Sequence, residues 1–185
     1  MSAIRLKVKK ARGKYDKGCS KFFGSPTLPD GLENELDNDT IFFLQIRLQD
    51  IKDLDEENIL PHEGYLYFFI DTAGGDYDLK PIVKYYKGEP TTLIDEFNSI
   101  VDGYEHLTKE YLVEFERCED DETGNKLLGV PSDWNYMEEP RRMLFQYDPL
   151  DVDMRFLTSL DGLLYFFFEG KNDDFDNISL MEEYS

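Results

Sequence analysis

Two stretches, YLYFFI at residues 65–70 and LLYFFF at residues 163–168, are apolar at every position over the length of a strand. Unbroken runs of this kind predict strands covered on both faces, because a strand wetted on one face alternates instead. Each Phe fully buried there stabilises the fold by about 1.5–3 kcal/mol. Residues 4–9 do alternate: Ile4, Leu6 and Val8 are interleaved with Arg5, Lys7 and Lys9. That pattern predicts a half-exposed strand, and its lysines predict an edge position. Further strands are expected at residues 81–87, 110–116 and 178–184. One helix is expected over residues 92–104, where Thr92 and Asp95 have capping-box spacing and Leu93, Ile94, Phe97, Ile100, Val101 and Tyr104 share a face. Gly103 is placed to end it. The expected class is α+β, a mainly antiparallel sheet with few helices.

The chain spells KFFGSP at residues 21–26 and KLLGVP at residues 126–131. Each copy is followed by a strand bearing a glutamine, FLQI with Gln45 and LFQY with Gln146, and then by a glycine and one of the aromatic runs. Three matched blocks in one order predict an internal duplication, while two long copies are too few for a solenoid. The expected organisation is a single domain over 1–185, with a basic N-terminal strand (1–21), a first repeat half (about 21–104) and a second (about 126–185).

Composition adds a charge argument. Across 185 residues, 20 Lys and Arg stand against 40 Asp and Glu, a net charge of −20. Residues 1–21 hold eight bases and one acid, so the remainder is more acidic still. The 15% aromatic content separates this chain from acidic disordered sequences. The acidic body would repel phosphate, which predicts no nucleic-acid partner. The basic segment is expected to pair with acidic neighbours.

Two cysteines, Cys19 and Cys118, and two histidines, His62 and His106, do not have zinc-ligand spacing, and the acidic loops lack the pattern of an EF-hand. No metal or cofactor is expected, and neither is a membrane partner. A reduced, cytoplasmic setting is expected. No phosphate-binding loop, nucleophile elbow or dinucleotide fingerprint can be read. Candidate binding residues are Trp134 and Arg141, aromatic and guanidinium groups of the kind that anchor interfaces, with Arg142 assigned to support of the loop. Gln45 and Gln146 join them, because an amide inside an apolar strand must find partners.

The segments FFGSPTLP, LPHEGYLYFFID, LLGVPSDW and DGLLYFFFEGKNDDFDNISL together resemble the YwqG-like family of bacterial proteins of unknown function. The resemblance runs from about Lys21 to the C-terminus. It implies a duplicated α+β fold without an established enzymatic activity, and the similarity of some relatives to proteins encoded beside secreted toxins makes an immunity role one of the expectations. The expected function is therefore a non-enzymatic cytoplasmic binding protein, in its sharpest form an acidic immunity-type protein neutralising a basic toxin. The alternative is a hydrolase using carboxylates between the two halves.

Overall fold

A computed structural model describes residues 3–75, 78–132, 141–151 and 162–183. In chain order the strands are β1 (Ala3–Lys10), β2 (Lys21–Phe22), β3 (Thr27–Leu28), β4 (Thr40–Arg47), β5 (Tyr65–Asp71) and β6 (Lys80–Tyr86). They continue with β7 (Thr92–Leu93), β8 (Tyr111–Cys118), β9 (Lys126–Leu127), β10 (Arg142–Tyr147), β11 (Leu163–Phe168) and β12 (Ile178–Glu183). Ten of them form one antiparallel sheet in the order β12-β11-β10-β9-β1-β8-β2-β4-β5-β6, and β3 pairs with β7 apart from it. The sheet curls until β6 and β12 meet, a nearly closed barrel. Lys84 reaches Asp176 at 3.2 Å across that seam, and the rings of Tyr85 and Phe175 lie 5.8 Å apart.

This architecture overturns the α+β expectation: the fold is all-β, and among the described residues no helix reaches seven residues. The helix expected over residues 92–104 is replaced by β7 and a one-turn helix, Phe97–Ile100. Tertiary bonds outweigh its helical periodicity. Thr92 and Leu93 pair with Leu28 and Thr27, and Glu96 takes a left-handed conformation (φ 46°) that a helix cannot contain. Asn98, fully buried, accepts from the Phe42 amide at 2.7 Å and donates to the Phe42 carbonyl at 2.9 Å, stitching this segment to β4.

The edge position expected for β1 is also corrected, because β1 lies mid-sheet between β8 and β9. Alternation reports that one face is wet and says nothing of the neighbours. Lys7 and Lys9 meet Glu116 and Glu114 of β8 at 3.1 and 2.5 Å, so like charges are interleaved with opposite ones on that wet face.

From β1 the sheet runs outward through β9, β10, β11 and β12, and from β8 through β2, β4, β5 and β6. The strand that precedes each Lys-apolar-apolar-Gly signature therefore pairs with the short strand of the other signature. The signatures have a common geometry. Phe23 and Leu128 adopt φ of 54° and 61°, a region that bulky residues avoid, and the next residues, Gly24 and Gly129, have φ of 74° and 78°. That bend lets the Phe23 amide donate to the Phe43 carbonyl at 3.1 Å and the Leu128 amide to the Leu144 carbonyl at 3.0 Å. Phe43 and Leu144 are the extra residues of bulges in β4 and β10. Each bulge turns two successive side chains inward, Phe43 with Leu44 and Leu144 with Phe145.

The inner core joins the two aromatic strands: Phe68 of β5 lies 5.4 Å from Phe166 of β11, and Phe145 contacts both. Their outward-facing residues are buried as well. Tyr65, Tyr67 and Phe69 form an outer layer with Phe42 and Leu28, and Tyr165 and Phe167 form another with Met143. Burial on both faces explains the absence of alternation in both runs.

Candidate functional site

Gln45 and Gln146 point to the outer face of the barrel and are fully buried beneath loops. Gln45 accepts from the Thr27 amide at 2.9 Å and donates to the carbonyls of Cys19 (2.9 Å) and Lys17 (3.3 Å). Gln146 accepts from the Ser132 amide at 2.9 Å and donates to the Gly124 carbonyl at 2.8 Å. Their polar atoms are thus engaged by backbone, and each glutamine clamps the loops flanking its signature.

Beside each glutamine lies a buried lysine from the signature. Burial pulls both ammonium groups down to about 8. Lys126 donates to the Asp120 carbonyl at 2.8 Å. Lys21 donates to the Ser25 carbonyl and, at 2.9 Å, to the Glu110 carboxylate. Glu110 also takes the Lys17 ammonium at 2.8 Å and the Ser25 amide at 3.2 Å. Its burial pushes its carboxyl upward, while the direct ammonium contacts favour the charged pair at neutral pH. Gly24 makes room for this carboxylate: a Cβ there would stand 2.1 Å from Glu110 Cγ.

Above Glu110 opens a cleft of about 550 Å³. Lys10, Lys14, Lys17 and Lys109 line it together with Tyr15, and Glu110 is the one carboxylate among its lining residues. Lys17 donates to the Tyr15 hydroxyl at 2.9 Å and lies 4.5 Å above the Tyr15 ring.

A second surface has the opposite charge. Residues 30–39 and 93–105 cover the outer layer on β4 and β5 through Leu32, Leu36, Ile94 and Phe97. They carry nine carboxylates, from Asp30 to Asp39 and from Asp95 to Glu105, and no lysine or arginine. None of the nine enters an ion pair among the described residues. Within this acidic surface Ile100 is 77% exposed and Leu93 45%.

Among the described residues, those proposed from sequence are not gathered at either place. Trp134 lies outside the described residues. Arg141 stacks 4.4 Å over the Phe167 ring and bonds to Glu169 and to Ser179, which anchors it to β11 and β12. Arg142 donates to Asn172 at 2.7 Å and to the Gly170 carbonyl, bracing the turn after β11. Cleft and acidic surface escape sequence reasoning because each joins segments far apart in the chain. Lys109 and Glu110 meet residues 10–17 through the bond from the Ala11 amide to the Glu110 carbonyl, 3.0 Å.

Among known families, one described as a domain of unknown function, DUF1963, matches residues 20–93. That stretch begins at the first signature and ends at β7. No curated protein matches the chain.

Proposed function

We propose that this protein is a non-enzymatic binding protein that engages a basic protein partner through the acidic surface of residues 30–39 and 93–105. The single observation carrying this reading is that Leu93 and Ile100 are exposed within a surface of nine carboxylates that enter no ion pair among the described residues. Interfaces combine apolar anchors with a charged rim, the first supplying affinity and the second steering and orientation. The carboxylate hydrolase has no comparable support, since the cleft brings one ion-paired carboxylate where that chemistry needs two.

A basic toxin is the sharpest form of the partner, and with it an immunity role in the cytoplasm. Two free thiols, Cys19 and Cys118, suit a reducing compartment. YwqG-like kinship belongs to the same proposal, supported by the match over residues 20–93. So does an internal duplication, which the corresponding bulges, left-handed signature residues and buried Lys–Gln pairs favour.

The test is to purify the protein with its native partner, identify that partner, and measure association by stopped flow. The expected partner is basic, with an association rate that falls about tenfold or more between low and high salt. Ile100→Asp should weaken the complex while the melting temperature stays constant. A partner that is acidic or a nucleic acid, or one held equally well by Ile100→Asp, refutes the assignment.

A further inference from the structure

Lysine pairing is uneven across the molecule. In a chain with twice as many acids as bases, Lys7, Lys9, Lys80, Lys84 and Lys87 all find carboxylates. Lys14 and Lys109 are exposed, have no ion-pair partner among the described residues, and line the same cleft. The lining lysines come from three places: Lys10 from the end of β1, Lys14 and Lys17 from the following loop, and Lys109 from the approach to β8. Convergence from separate segments requires the fold and is not explained by a local run of charge.

Glu110 does not neutralise this group, because its carboxylate is already divided between Lys17 and the buried Lys21. Its contribution is to hold Lys17 in place, with the Tyr15 hydroxyl as the second restraint. An ammonium fixed by bonds already made needs little ordering when a ligand arrives. Charges elsewhere on the acidic body are screened over about 8 Å at physiological salt, so an anion inside the cleft responds mainly to the lysines lining it.

We propose that this cleft is a binding site for a small phosphorylated molecule, its phosphoryl group held by Lys14, Lys17 and Lys109 with Tyr15 against the remainder of the ligand. A phosphate monoester carries about −1.5 to −2 charges and three acceptor oxygens, which suits several ammonium donors better than a single carboxylate does. A volume of about 550 Å³ falls in the range of small-molecule sites. The site is separate from the acidic surface assigned to a protein partner, so either assignment can fail alone.

The probe is inorganic pyrophosphate, titrated calorimetrically into the full chain at about 0.1 M salt. Saturable one-to-one binding is expected, with the double variant Lys14→Ala/Lys109→Ala weakened at least about tenfold and Lys52→Ala, at a lysine outside the cleft lining, unchanged. Both cleft lysines are exposed, so the melting temperature without ligand should match that of the parent. Citrate is the second arm, and equal affinity for it overturns the phosphoryl assignment. Vesicles containing phosphatidic acid are the third, and sedimentation with them in the absence of any pyrophosphate response overturns a soluble ligand. No saturable heat with pyrophosphate, or equal loss in Lys52→Ala, overturns the site itself.

Discussion

Replacing Lys126 by Met should stabilise the protein at neutral pH and stop doing so in alkali. The ammonium is fully buried, and its hydrogen-bond acceptor among the described residues is the carbonyl of Asp120. Burial lowers its pKa from 10.5 to about 8, which corresponds to about 3 kcal/mol of native-state penalty on the charged form. Between these two values the unfolded chain binds more protons than the native one, so stability rises with pH across that window. Met fills a similar volume without charge and forfeits one hydrogen bond, worth about 1 kcal/mol. The variant should therefore exceed the parent by about 2 kcal/mol at pH 7 and lose that advantage by about pH 10.5. Cys118, pushed up to about 11 mainly by burial, acts in the opposite direction above pH 9, and because Lys126 pulls that thiol downward, parent and variant are compared in a Cys118→Ser background. Urea unfolding at intervals from pH 7 to 10.5 measures the difference. A difference that stays flat across the series would mean that the ammonium is not desolvated, and the argument would fail.

The glutamines give a graded comparison. Gln146→Leu leaves one amide and one carbonyl without their partner, and Gln45→Leu leaves one amide and two carbonyls. Losses of about 2–3 kcal/mol and somewhat more are expected, with faster amide exchange at Ser132 and Thr27 respectively; unchanged exchange would remove the clamping role. Gly24→Ala and Gly13→Ala share a positive φ but differ in surroundings, since a Cβ at Gly13 meets nothing within 4 Å. Thermal unfolding should show a cost of about 1 kcal/mol at Gly13 and clearly more at Gly24; equal costs would contradict the packing of Glu110 over Gly24.

The two aromatic strands were legible in sequence because burial on both faces leaves an unbroken apolar run, and Tyr67 and Tyr165 occupy corresponding places in the two outer layers. The glutamines were conspicuous for a related reason, an amide within an apolar strand, although nothing in the sequence names the loops they hold. The segment over residues 92–104 misled because its periodicity is real, while the bonds from Asn98 to Phe42 and the pairing of β7 with β3 depend on residues far away. The placement of β1 was illegible for the same reason, since its partners are determined by the fold of the whole sheet. Neither charged surface shows as a motif: the acids over residues 30–39 and 93–105 belong to separate stretches of the chain that come together only over one apolar layer.

The central position of β1 bears on how the chain is made. β1 leaves the ribosome before β8 and β9, its neighbours on either side, which follow more than a hundred residues later. Synthesis at about 5–20 residues per second leaves this strand waiting for seconds without either of these sheet neighbours. During that interval Arg5, Lys7 and Lys9 act as gatekeepers, since an alternating apolar strand without charge would invite pairing with other nascent chains. The glutamates that later face Lys7 and Lys9 are on β8, so the charges that keep the nascent strand soluble become cross-strand pairs once the sheet is assembled.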